Sequence, residues 1–170
     1  ATPAERAAGA IPGGAQADNP FATPEERAGR GGPQLLMNQE PADVVVLRER
    51  PPREELVLPL DLPGRRVPVA PDPQSSLVVR LVSDPNTQYV VQWRDVEEVR
   101  LFENRVLAEA RQLAETGRFD EAFAVFTYLR NRYPTLLGLP EAEQSAVALE
   151  AKHEITQRRW ENALAYCLRL

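Results

Sequence analysis

The sequence has few of the residues that carry out chemistry. Its 170 residues include one cysteine, Cys167, one histidine, His153, and one methionine. One cysteine cannot form an internal disulfide, and no Cys/His cluster exists to hold zinc. No cofactor and no metal is therefore expected. A lone helical cysteine reads as a small apolar residue before it reads as a reactive thiol. Ser145 and His153 are too far apart for a nucleophile–base pair: eight positions along a helix separate them by about 12 Å. Gly13-Gly14 and Gly31-Gly32 neither follow a strand nor open a helix, so they are not phosphate loops. Long apolar runs are missing too, and nothing reaches the ~18 residues of a membrane span. Positive charge is in deficit, with 20 Lys+Arg against 25 Asp+Glu and a net charge of −5. That balance argues against a nucleic-acid partner held by bulk charge. Asp and Glu are scattered over helix surfaces rather than paired in a cleft, so the chain is read as not an enzyme.

Proline and glycine divide the chain. Of the 16 prolines, all but Pro85, Pro134 and Pro140 lie at or before Pro73. Residues 1–34 hold only Ile11 and Phe21 as bulky apolar side chains, too little burial to offset about 1–2 kcal/mol of backbone entropy per residue. They are expected to form a disordered tail, either a spacer from a membrane anchor or wall or a tail without a task. The chain opens Ala1-Thr2-Pro3 without Met, and a removed leader is one reading of that start.

A small β-rich subdomain is expected over residues 42–94. Val44-Val45-Val46-Leu47 is a β-branched run. Leu56-Val57-Leu58-Pro59-Leu60 is a second strand, placed at an edge or left irregular by its proline. Ser76 to Val82 and Tyr89 to Trp93 form a hairpin, with Ser83-Asp84-Pro85-Asn86 as the turn. Tyr89, Val91 and Trp93 share one face of the second strand. The sum is a partly open barrel, or a sheet of four or five strands. Antiparallel helix hairpins then fill residues 95–170, and the fold class is α+β. Asp95 with Glu98 resembles a capping box opening a helix to about Thr116. Gly117 sits where a C-cap requires positive φ. Asp120 is placed to cap a second helix, which ends before Pro134.

Residues 117–134 carry a family pattern. Gly117-Arg118-Phe119-Asp120-Glu121-Ala122, then Phe126 and Pro134, resembles the second half of a tetratricopeptide repeat. In that reading small Ala122 lets two helices approach, Phe126 fills their seam and Pro134 stops the second helix. The first helix departs from the pattern. Val106 stands for the usual Trp, Glu109 for Leu, Ala110 for Gly and Leu113 for Tyr. Arg159-Trp160-Glu161-Asn162-Ala163 echoes Arg118 to Ala122 at an offset of 41 residues. The order of segments from Leu58-Pro59-Leu60 through Val91-Gln92-Trp93 to the repeat is similar to the N-terminal region of large bacterial extracellular solute-binding proteins of peptide importers.

The resemblance implies a non-catalytic interaction module, the accessory region of such a receptor, in the periplasm or outside the cell. A stand-alone helical-repeat scaffold of the cell envelope is the alternative. Asn104, Glu109 and Gln112 are the expected groove residues of the first helix. The partner is a protein, a peptide or a downstream domain of the same chain. The apolar stripe of Trp160, Ala163, Leu164, Cys167, Leu168 and Leu170 is expected to be covered by a following repeat, or by a second copy in a homodimer. The native protein is accordingly expected to continue past Leu170.

Overall fold

A computed structural model describes residues 34–168. The expected tail falls outside the described residues except for Gln34, and so do Leu170 and the side chain of Ala163. The chain is α+β, with a five-stranded antiparallel sheet followed by four helices.

The strands are β1 (Asp43–Leu47), β2 (Arg53–Val57), β3 (Ser76–Leu81), β4 (Asp84–Gln92) and β5 (Val96–Arg100). Their order in the sheet is β4-β3-β2-β1-β5. That order has two ends, so the sheet is open. β1 pairs on both sides, with Val45 opposite Glu55 of β2 and Val99 of β5. Val44, Val45 and Val46 are all buried, so both faces of β1 are covered, which is why it reads as a continuous apolar run.

Three expectations are corrected. β2 starts at Arg53 rather than Leu56, because Pro59 has no N–H for the ladder and the charged residues tolerate an exposed position. Leu58 still donates to the Arg80 carbonyl at 2.8 Å. The hairpin turn is Val82–Ser83, and Asp84-Pro85-Asn86 belong to β4. That strand lies at the sheet edge, where a missing proline N–H costs no ladder bond. Residues 96–100 form a strand and not the first turns of a helix. The free edge of β1 accepts Val96 and Val99, and this long-range pairing overrides the local capping signal of Asp95 and Glu98. Of Tyr89, Val91 and Trp93, the last two pack on the sheet core, while Tyr89 is exposed and its hydroxyl donates to Asp84 Oδ2 at 3.0 Å.

The helices are α1 (Phe102–Glu115), α2 (Phe119–Arg132), α3 (Leu139–Thr156) and α4 (Trp160–Cys167). α1 places Val106, Ala110 and Leu113 on one buried face, and α2 places Ala122, Val125, Phe126 and Leu129 against it. Ala110 and Ala122 are both fully buried, which brings the two axes close. Arg118 precedes α2 with no side-chain cap. Asp120, expected as the cap, sits inside the first turn, where its charge complements the helix dipole. α3 adds Leu139, Ala142 and Ala146 to the same core.

Candidate interaction surfaces

The two helix hairpins turn in the same way. Gly117 has φ 79° and Arg158, the residue at the matching position 41 later, has φ 59°. Arg118 N–H donates to the Leu113 carbonyl and Arg159 N–H to the Glu154 carbonyl, each at 2.9 Å. Gly117 N–H reaches Ala114 at 3.1 Å and Arg158 N–H reaches Ile155 at 3.0 Å. This pair of bonds closes a helix through a left-handed residue. Arg158 adopts the conformation despite its Cβ, which costs about 1–2 kcal/mol. An aromatic residue follows both turns. Phe119 lies 5.7 Å from the His153 ring of α3, centroid to centroid. Trp160, its counterpart, is 63% exposed, and Leu164 and Leu168 are exposed beside it at 63% and 80%. Cys167 is exposed as well.

A buried ionic cluster ties the sheet to the first helix. Asp43 is fully buried at the start of β1. Its Oδ1 accepts from Phe102 N–H at 2.7 Å and its Oδ2 from Leu60 N–H at 2.8 Å. Arg65 donates to both Asp43 oxygens at 2.9 Å, to Glu103 Oε1 at 3.0 Å and Oε2 at 2.6 Å, and to the Leu60 carbonyl at 2.9 Å. The planar guanidinium fork meets two carboxylates at once, a geometry an ammonium cannot reproduce. Burial pulls the Arg65 guanidinium down, but the hydrogen bonds it donates to Glu103 and Asp43, with the attraction of their charges, hold it well above its ordinary value. Gly64 and Arg65 both have positive φ, 61° and 53°, and this tight turn presents the side chain to the cluster.

The expected groove residues of α1 have different surroundings. The Glu109 carboxylate accepts Leu36 N–H at 3.0 and 3.2 Å, and Leu35, Leu36 and Met37 pack on the helical core beside it. Burial raises the Glu109 carboxyl above its ordinary value, and the Leu36 bond opposes that rise. Gln112 is exposed, and its carbonyl takes the Thr116 hydroxyl at 2.9 Å. Asn104 is exposed and lines a cavity of about 790 Å³ with Arg65, Val67, Tyr133, Pro134 and Leu137. Of the repeat-motif residues, Ala110, Leu113, Ala122 and Phe126 are buried together. Gly117 makes the turn, Phe119 lies against α3 and Pro134 is exposed past the end of α2.

Sequence reading missed the Asp43–Arg65–Glu103 cluster. A second missed feature is a groove of about 550 Å³ between α2, α3 and α4. Asp120, Glu143 and Glu150 contribute acids to it, and Phe123, Val147 and Tyr166 contribute apolar wall.

Among the described residues, no group of three His, Cys, Asp or Glu side chains is arranged to hold a metal ion. Nor is any helix there long and apolar enough to cross a membrane. No protein-family model, curated protein or solved structure matches the chain.

Proposed function

We propose that the chain is a non-catalytic protein-interaction module whose contact surface is the exposed stripe of α4. The observation that carries this is the unequal fate of equivalent residues. Phe119 follows the first turn and lies against α3, while Trp160 follows the same turn one unit later and is 63% exposed with Leu164 and Leu168. The occupant that fits is a helix standing to α4 as α3 stands to α2. Stacked helical pairs cover one another in this way. In the isolated chain a second copy can take that place, since a symmetric contact buries the same stripe twice.

The biological setting that agrees with this reading is the accessory region of a bacterial extracellular solute-binding protein for peptide uptake, in the cell envelope. There the repeat-like helices would position a ligand-binding domain. A stand-alone envelope scaffold built of helical repeats is the competing setting. The complete reading frame of the gene decides between them. A two-lobed ligand-binding domain in the same frame is the expected result, and a frame holding helical repeats alone would contradict the transport setting.

A further inference from the structure

We propose that the groove between α2, α3 and α4 binds a basic peptide side chain, its guanidinium or ammonium seated against Glu150. Four acids are buried among the described residues: Asp43, Glu103, Glu150 and Glu154. Asp43 and Glu103 share Arg65. Glu154 takes Arg159 at 3.0 Å and Asn162 Nδ2 at 3.1 Å. Glu150 is only 8% exposed, and its Oε2 has no hydrogen-bond partner. A buried carboxyl oxygen without a donor is costly, and a positive charge beside it removes much of that cost.

The donor is missing for a structural reason. Glu150 lies in the interior of α3, whose backbone amides are already used within the helix. One unit earlier, at the matching offset of 41, Glu109 is satisfied by a passing segment of chain through Leu36 N–H. Among the described residues, no segment donates to Glu150 Oε2 in this way. The remaining charges set the sign of the ligand. Asp120 and Glu143 stand with Glu150 in the groove, and Arg130 there is already paired with Glu143. One acid is thus balanced and two acids are left over. Phe123, Val147 and Tyr166 offer wall for an aliphatic stem. The groove lacks the convergent acids of a divalent-metal site, and a long organic cation suits its shape better.

The test is a titration of the 170-residue chain, followed by amide chemical shifts in NMR. The probes are a blocked five-residue peptide with one central arginine, the same peptide with citrulline, and agmatine. The arginine peptide is expected to give saturable shifts in α2, α3 and α4, with a dissociation constant on the order of 1 mM. Glu150→Gln should weaken it at least about tenfold while the sheet resonances stay in place. Asp120→Asn, at an exposed position, should weaken it about two- to threefold. Agmatine binding as tightly as the peptide supports a site for the free cation. A clear preference for the peptide supports a site for a chain segment. Citrulline binding equal to arginine, an unchanged constant in Glu150→Gln, or no saturation by about 10 mM would each overturn the proposal.

Discussion

Arg65→Ala is expected to lower the unfolding free energy by about 3–5 kcal/mol, the cost of removing one partner from a buried ion pair. The substitution leaves Asp43 and Glu103 buried near each other without their shared cation. It also breaks the bond from Arg65 to the Leu60 carbonyl. Arg65→Lys should recover only part of the loss, because one ammonium cannot fork to both carboxylates. Urea unfolding followed by circular dichroism measures the effect. A loss below about 1 kcal/mol for Arg65→Ala is the range of an exposed pair, and would mean that the cluster does not join sheet to helix as described.

Phe126→Ala should cost a similar amount, about 3–5 kcal/mol, through a different cause. Phe126 is fully buried among Ala122, Val125 and Leu129, and faces the core side of α1. Removing the ring leaves a cavity that the small alanines at positions 110 and 122 cannot close, since both are already fully buried. The melting temperature should fall by about 10 °C or more. A fall of only a degree or two would place Phe126 outside the seam.

The helix hairpin was legible because its signals are local. Ala122, Phe126 and Gly117 declare period, close approach and a left-handed turn within a few positions. The echo of Arg118-Phe119 in Arg159-Trp160 was visible in sequence, and in the structure each of these segments follows a turn closed by the same two backbone bonds. What sequence concealed was long-range. β5 looked like a helix start because Asp95 and Glu98 imitate a cap, and only the open edge of β1 makes Val96 and Val99 a strand. Asp43 and Arg65 are 22 positions apart, and Arg65 and Glu103 are 38 apart. No spacing rule links such residues, so a charge that looks solvated in the sequence becomes the joint between two layers. Glu150 was concealed for the same reason: the residues that share its groove come from α2 and α4.

The account's central claim is that the α4 stripe is a contact surface, and sedimentation velocity of the chain tests it most directly. The chain is expected to dimerise as its concentration rises through the micromolar range. Trp160→Glu or Leu168→Glu should each weaken that association at least about tenfold, as a charge placed in an apolar contact does. A monomer up to several hundred micromolar (~), with no change in either variant, would contradict the claim.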